Sequence, residues 1–231
     1  MEIKAIAHFR SPFKEKFGIP RQSSVVEGLK GFIELDKDYR REEALRGLEN
    51  FDYLWLIWGF NLNNSSATSL MVRPPRLGGN EKVGVFASRS PFRPNSLGLS
   101  SVKILSIDFE KGLVEVSGAD LADGTPIYDI KPYVTYCDSH PQARSGFVEE
   151  RNWHRIKIEV ESRELEEKLL KLLGAENYDI LKESLSQDPR PQYQKKSNPT
   201  KSYGLLFDNF NITFHCEAES LVIDGITPAS I

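Results

Sequence analysis

One segment of the sequence combines arginines, prolines and small residues in a pattern that predicts an anion-binding loop. From Gly84 to Ser100 the chain reads GVFASRSPFRPNSLGLS, which places Arg89 and Arg93 beside prolines. Proline restricts the backbone, and an arginine on a stiff backbone presents a planar fork of donors to a carboxylate or phosphate. The alternative is a rigid barrel corner whose arginines pair with nearby acids, because such ion pairs are common.

A second segment, Gly118 to Pro126, gathers acidic residues around a turn. Asp120 precedes the pair Asp123-Gly124, a common hairpin signal, and Asp129 follows. The segment is therefore either a turn alone or a turn whose Asp123 side chain and exposed backbone groups bind a polar ligand, such as a ribose or an amino group.

Two further loops are basic and stiffened by proline: Pro20-Arg21-Gln22 and Arg73 to Asn80. Arginines in such loops can contact RNA phosphates, although they can equally be ordinary solvated residues. The net charge of −3 and the pI near 5.9 argue against nucleic-acid binding through bulk charge. Any RNA site is therefore expected to be a local patch.

The usual signals of three large enzyme classes are absent from the sequence. There is no G-x-G-x-x-G after a strand, no P-loop and no G-x-S-x-G elbow. Cys137 and His140 resemble half of a metal site, but no second pair follows at a suitable spacing. We therefore expect no bound metal. The alternative is a metal-dependent hydrolase that uses these two residues and scattered acids.

The elements that must position these loops are mostly short strands, which favours a β-barrel N-terminal domain. The predicted strands are 3–8, 32–35, 53–60, 82–86, 102–107, 113–117 and 128–130, and a helix is predicted at 41–49. The chain has 231 residues, of which 39% are hydrophobic, enough for a substantial core.

A polar stretch at 138–151 predicts a linker to a second unit. That unit begins with a predicted strand at 155–160 and a helix at 164–173 that Gly174 ends. A short helix at 178–185 and strands at 202–207, 210–217 and 221–224 follow. The prediction is a mainly β protein, with a single-sheeted barrel domain at 1–145 and a small α+β domain at 146–231.

The ends of the chain and its cysteines indicate a cytoplasmic protein. Met1 to Lys4 lacks a signal pattern, and the longest apolar run, 54–60, is too short to span a bilayer. Cys137 and Cys216 are far apart and have no further thiol partners, which fits a reducing compartment.

Several multi-residue motifs, in order along the chain, carry a resemblance to a known family. They are Ser11-Pro12-Phe13-Lys14-Glu15-Lys16-Phe17, Pro20-Arg21-Gln22, Arg73-Pro74-Pro75-Arg76, Phe86 to Leu99, Asp123-Gly124-Thr125-Pro126, Asp129-Ile130-Lys131-Pro132-Tyr133, and Gln187-Asp188-Pro189-Arg190-Pro191 with Tyr193. On these residues the chain resembles the TrmO, or TsaA-like, family over nearly its whole length.

The resemblance implies a β-barrel methyltransferase that binds S-adenosylmethionine near the interface of a homodimer. It implies a C-terminal domain that helps to engage the anticodon stem-loop of tRNA, and no membrane partner. The implied reaction is N6-methylation of threonylcarbamoyl-modified adenosine 37 in threonine tRNA. A non-catalytic module that binds RNA or senses S-adenosylmethionine is the main alternative.

The resemblance also suggests which residues form the site. The expected cofactor-binding residues are Pro20, Arg21, Gln22, Asn61, Leu62, Arg89, Leu99, Asp123, Gly124, Thr125 and Pro126. Arg21 or Arg89 is expected to pair with the cofactor's carboxylate. The family often has Thr where this chain has Ser88 and His where it has Asn61.

Methyl transfer is an in-line displacement, so the protein must chiefly align its two reactants and exclude water. The attacking nitrogen is urea-like, and an acceptor near its N–H should help it to react. Asp120 and Asp129 are the candidates for that acceptor. Arg93, Arg190 and Lys195 are the candidates for contacts with RNA phosphates.

Overall fold

The computed structural model describes residues 2–63, 69–77, 81–149, 155–190, 201–217 and 219–229. Its strands, in chain order, are β1 (Ala7–Arg10), β2 (Lys30–Leu35), β3 (Tyr53–Gly59), β4 (Met71–Val72), β5 (Val83–Gly84), β6 (Leu97–Asp108), β7 (Leu113–Ser117), β8 (Pro126–Pro132), β9 (Lys157–Val160), β10 (Tyr203–Phe207), β11 (Phe210–Glu217) and β12 (Ser220–Pro228). Its helices are α1 (Glu42–Leu45), α2 (Thr135–Asp138) and α3 (Arg163–Ser186).

Six strands close an antiparallel barrel in the order β1-β2-β7-β6-β3-β8, which confirms the predicted fold class. Alternate residues of each strand point inward because side chains alternate across a strand. In β3, for example, Leu54, Leu56 and Trp58 are buried in the barrel core. β4 and β5 form a separate two-stranded ribbon.

Several predicted elements differ from the observed ones; β6, for example, begins at Leu97 rather than at residue 102. The strand expected at 3–8 begins only at Ala7, and the strand expected at 82–86 ends at Gly84, where a 3₁₀ turn over Val85–Ala87 begins. The helix expected at 41–49 is limited to α1 because Gly47 takes a left-handed conformation, with φ of 92°, ahead of a second 3₁₀ turn.

The topology brings three loops to the same end of the barrel. Adjacent strands are antiparallel, so the end of β1, the end of β3 and the end of β7 lie beside the starts of β2, β6 and β8. The connections 11–29, 60–96 and 118–125 therefore meet there. α1 and the tight turn between β6 and β7 lie at the opposite end.

The C-terminal part forms a second sheet in the order β10-β11-β12-β9, with β9 parallel to β12, and α3 packs on it. The predicted end of the first helix at Gly174 is confirmed: its φ of 76° and ψ of 161° break α3. The core of this part also contains Phe13, Val26 and Leu29 from the loop after β1. That loop is therefore anchored on both parts of the chain.

Among the residues that the structure describes, no helix is both long and apolar enough to cross a bilayer. The division at residue 145 stays a prediction.

Candidate functional site

The loop after β1 is tied to the loop before β8 by Asp123. Its carboxylate accepts a hydrogen bond from the Ser11 backbone N–H (3.1 Å) and pairs with Lys14 Nζ (3.0 Å). Its own N–H donates to the carbonyl of Phe13 (2.8 Å). The Asp123 side chain thus shapes the end of the barrel, and these partners compete with any ligand for its carboxylate.

Gln22 and Arg89, both predicted cofactor contacts, meet at this end although 67 residues separate them. Arg89 Nη1 donates to Gln22 Oε1 at 2.5 Å. Gln22 in turn donates to the carbonyl of Arg21. Arg89 is exposed, and one of its five N–H donors is used by Gln22. The guanidinium is therefore oriented by the protein and accessible to an anion.

Arg93 braces the loop on which Arg89 lies. Its Nη1 donates to the carbonyls of Ser88 (3.1 Å) and Ser90 (3.4 Å), and the Ser88 hydroxyl donates to the carbonyl of Val85 (2.9 Å). These contacts, together with the prolines, give the arginine loop a fixed conformation. They also leave Arg93 only partly exposed.

Asp120 lies under this loop at the end of a chain of hydrogen bonds. The Trp58 indole donates to Ser100 Oγ (3.0 Å), and the Ser100 hydroxyl donates to Asp120 Oδ1 (2.5 Å). Burial raises the pKa of Asp120 to about 6, against the opposing effects of Ser100 and of the positive charge on Arg89. A carboxylate poised near neutral pH therefore lies beside the arginine loop.

The remaining predicted contacts from the loops are at the same end. Asn61 Nδ2 donates to the carbonyl of Gly124 (3.4 Å), which joins the loop after β3 to the loop before β8. Leu62 is exposed, whereas Pro20 and Thr125 are buried and Pro126 begins β8. Pro20 and Thr125 are thus suited to holding the loops rather than to presenting side chains.

Leu99 and Asp129 lie on the outer face of the barrel, on either side of Ile57. Ile57 faces outward because its neighbours Leu56 and Trp58 are buried. Leu99 is 58% exposed, and Asp129 pairs with Lys131 (3.2 Å). Of the two candidate acceptors, only Asp120 is therefore grouped with Arg89.

Arg21 and Arg190 both interact with Asp188. Arg21 Nη2 donates to its carbonyl (3.1 Å), and Arg190 makes two hydrogen bonds to its carboxylate (2.8 and 3.0 Å). Arg190 is only 6% exposed, so the predicted contact with an RNA phosphate does not fit its placement. Residue 188 and residue 190 instead form a buried ion pair. Lys195 lies outside the described residues.

The sequence reasoning missed the role of several residues here. Lys16 donates to Asn63 Oδ1, and its ammonium lies 5.0 Å from the centre of the Phe92 ring. Lys16 lies in the segment from Ser11 to Phe17, but no local signal pairs it with residues 47 and 76 positions away. Trp58 lies in the predicted strand 53–60, but its contact with Ser100 depends on the strand register.

Cys137 is exposed, and its thiol donates to the carbonyl of Val134 and lies near Asp138. Within the described ranges, no group of three or more His, Cys, Asp or Glu side chains is placed to hold a metal ion.

Comparison with known proteins gives the same family for both parts of the chain. Residues 8–139 match the model of the tRNA-methyltransferase O N-terminal domain, and residues 155–229 match that of the TrmO C-terminal domain. A tRNA (adenine(37)-N6)-methyltransferase of Escherichia coli strain K12 is 35% identical over 233 residues, covering 98% of each chain. A protein of the same name from Eikenella corrodens is 38% identical over 178 residues, covering 77% of this chain and 97% of its own. The crystal structure of TrmO from Pseudomonas aeruginosa superimposes with a TM-score of 0.78 at 29% identity, covering 98% of both chains.

Proposed function

Since the chain belongs to the tRNA-methyltransferase O family, we propose that it methylates N6 of adenosine 37 in tRNA with S-adenosylmethionine as the methyl donor. We propose further that the adenosine carries a threonylcarbamoyl group and that threonine tRNAs are the substrates. The observation that carries the proposal is the meeting of Arg89, Gln22 and Asp120 at one end of the barrel, in a chain that matches a tRNA (adenine(37)-N6)-methyltransferase along its length.

The residues at this end fit the methyl donor's polar groups. Its carboxylate needs a cation, and Arg89 is exposed, oriented by Gln22 and able to form a bidentate contact. Arg89 suits that role better than Arg21, which already donates to the carbonyl of Asp188. The Gly124 N–H is used by the Phe9 carbonyl, but the Gly124 carbonyl, which accepts from Asn61, has a second lone pair for a polar group of the methyl donor.

S-adenosylmethionine supplies a methyl group activated by its sulfonium. The chain's own residues must hold the adenosine N6 in line with that methyl and exclude water. The N–C bond forms as the bond from the methyl carbon to sulfur breaks, which releases S-adenosylhomocysteine. N6 loses its proton in the same reaction, and Asp120 is the proposed acceptor. Its raised pKa keeps it basic enough to take a proton, while Ser100 and Arg89 keep it ionised at neutral pH.

Recognition of RNA is proposed to use the exposed side chains around the arginine loop. Phe86 is 76% exposed and Phe92 44%, and both are available to stack on splayed bases of the anticodon loop. Arg93 and Lys195 remain the proposed phosphate contacts, whereas the burial of Arg190 disfavours it. A patch of this kind can bind RNA although the chain carries a net charge of −3.

The family resemblance further supports the proposal of a cytoplasmic, metal-independent homodimer with the cofactor near the subunit interface. The exposed Leu99 on the outer face of the barrel is available for such an interface. Light scattering of the purified protein tests the dimer, and activity after exhaustive chelation tests the independence from metal.

The experiment that tests the reaction is incorporation of labelled methyl from S-adenosylmethionine into threonine tRNA, with and without the threonylcarbamoyl group. Nucleoside analysis should place the label on the modified adenosine. Label on unmodified tRNA at the same rate would show that the threonylcarbamoyl group is not required and would reject that part of the proposal. Binding of both reactants with no transfer would favour the non-catalytic module.

A further inference from the structure

A small pocket lies where the loop after β1 meets the C-terminal part of the chain. It has a volume of about 310 Å³ and is lined by Lys16, Phe17, Gly18, Ile19, Arg21 and Pro189. Neither the acceptor Asp120 nor the paired Arg89 and Gln22 line it. The pocket is therefore a feature beside the proposed methyl-transfer site rather than part of it.

The walls of the pocket are fixed by packing against the C-terminal sheet. Gly18 has φ of 89°, and a Cβ on it would lie 2.3 Å from Leu205 Cδ1, so only glycine fits this turn. The Phe17 ring stacks on Tyr203 and Phe214, with centroids 6.1 Å apart in each case. The pocket is thus preformed.

The opposite wall is held by the buried ion pair. Arg190 fixes the Asp188 carboxylate, and the carbonyl of Asp188 accepts from Arg21. Pro189, between Asp188 and Arg190 in the sequence, lines the pocket. Residues 188–190 of the Gln187-to-Pro191 motif therefore hold one side of the pocket.

The lining favours a small anion on a partly apolar stem. Lys16 and Arg21 are cations, none of the six lining residues is acidic, and Phe17, Ile19 and Pro189 are apolar. Asn63 uses one of the three N–H donors of Lys16. Desolvation lowers the pKa of Lys16, so an anion that offsets this cost stabilises the ammonium.

Contacts of the two cations lead from the pocket to the proposed reaction site. Lys16 reaches Asn63 and Phe92, which belong to the loop between β3 and β6. Arg21 precedes Gln22, the partner of Arg89. The pocket is therefore connected through these contacts to the loop that carries Arg89.

We propose that the pocket between Lys16, Arg21 and Pro189 binds a carboxylate carried on the substrate base, which is the threonyl carboxylate of the threonylcarbamoyl group. This inference rests on the proposed function for the identity of the base. An RNA phosphate or the carboxylate of S-adenosylmethionine offers the same anionic chemistry, so the test must separate these sources.

The test compares two synthetic anticodon stem-loops that differ only in charge at the modification. One carries threonylcarbamoyladenosine at position 37, and the other carries its neutral methylamide. Binding to the full-length protein is measured by fluorescence anisotropy with saturating S-adenosylhomocysteine. Loss of a charge-assisted hydrogen bond should weaken wild-type binding about tenfold or more.

The variant Lys16→Met should bind both stem-loops within about twofold of each other, and Lys16→Arg should retain most of the wild-type discrimination. Lys111→Met removes the same charge at the other end of the barrel and should leave the discrimination unchanged. Circular dichroism and thermal unfolding confirm that each variant is folded.

Three results would overturn the proposal. The first is equal binding of the two stem-loops by the wild type, or wild-type affinity for both stem-loops in Lys16→Met. The second is an equal loss for both RNAs in Lys16→Met, which identifies a phosphate contact. The third is weaker S-adenosylmethionine binding with an unchanged RNA ratio, which identifies the cofactor. None of these measurements requires methyl transfer, so failure of the pocket and failure of the reaction are separable.

Discussion

The hydroxyl of Ser100 donates a hydrogen bond to the carboxylate of Asp120 across 2.5 Å. The direction of this bond is fixed because the indole of Trp58, which can only donate, contacts the same hydroxyl oxygen. Trp58, in the barrel core, therefore orients the Ser100 hydroxyl, and this hydroxyl in turn holds the Asp120 carboxylate at the end of the barrel.

The activity should depend on the ionisation of Asp120. Its pKa of about 6 means that the proton-accepting form increases as pH rises through 6, so kcat/KM should rise over the same interval. Asp120→Asn should lower kcat/KM at pH 8 by 100-fold or more, on the order expected for a general base, and should remove this acid limb. Asp108→Asn, in the distant turn, is the matched control. An acid limb that persists in Asp120→Asn would assign the titration to another group.

The same carboxylate gives a stability prediction of defined sign. Its pKa is raised above the ordinary value of 3.8, so the folded state holds this proton more tightly than the unfolded state. The free energy of unfolding should therefore fall, from this group, as pH rises from about 4 to about 6. We expect denaturant unfolding to show that the difference in free energy of unfolding between the wild type and Asp120→Asn changes with pH across that window and is constant above it.

Removal of the Ser100 hydroxyl should move the acid limb to higher pH. The hydrogen bond from Ser100 lowers the pKa of Asp120, so Ser100→Ala should raise that pKa above 6. It also leaves the Trp58 N–H without this acceptor, at a cost of about 1–3 kcal/mol in stability. Ser101→Ala, next in the strand and on the outer face, should leave the pH profile unchanged. The same pH profile of kcat/KM in Ser100→Ala and Ser101→Ala would contradict a role for the Ser100 hydroxyl in setting the pKa of Asp120.

Gly98 should be essential to the position of Trp58. A Cβ at residue 98 would lie 2.3 Å from the indole ring, so Gly98→Ala must displace the side chain that orients Ser100. We expect a loss of about 1–3 kcal/mol in stability and a lower rate of methyl transfer. Gly28→Ala is a suitable control because its Cβ would meet only Ile180, at 3.7 Å. Wild-type stability in Gly98→Ala would mean that the ring can move freely.

Elements that depend on local sequence patterns were predicted from the sequence, whereas contacts between residues far apart in the chain were not. β7 and β11 were predicted with the observed limits because alternation of apolar and polar residues is a local property. The helix at 41–49 was wrong because the left-handed Gly47 interrupts it. The meeting of Gln22 and Arg89 follows only from barrel closure, which no local pattern encodes.

The burial of Arg190 likewise depends on tertiary packing that the local sequence does not indicate. Arg190 was expected to contact an RNA phosphate, but the carboxylate two residues earlier pairs with it and both residues are buried. A short-range pair of opposite charges was visible in the sequence. Its burial depends on how α3 packs on the sheet, and the sequence pattern did not reveal that.

Arg190 should therefore matter for stability rather than for RNA binding. Arg190→Ala removes two charge-assisted hydrogen bonds to the buried Asp188 carboxylate, which costs about 3 kcal/mol or more. The expected fall in Tm is roughly 6–12 °C for a chain of this size. The salt dependence of tRNA binding should keep its slope, whereas Arg93→Ala should reduce it by about one unit. A reduced slope with unchanged Tm in Arg190→Ala would restore its role as a phosphate contact.

The most direct test of the account is transfer of labelled methyl to threonylcarbamoyl-modified threonine tRNA by the wild type, Arg89→Ala and Arg46→Ala. Arg46 lies beside α1 at the opposite end of the barrel and serves as the matched loss of charge. We expect label on adenosine 37 for the wild type and Arg46→Ala, and a loss of at least 100-fold for Arg89→Ala. Full activity in Arg89→Ala, or no label with any of the three proteins, would contradict it.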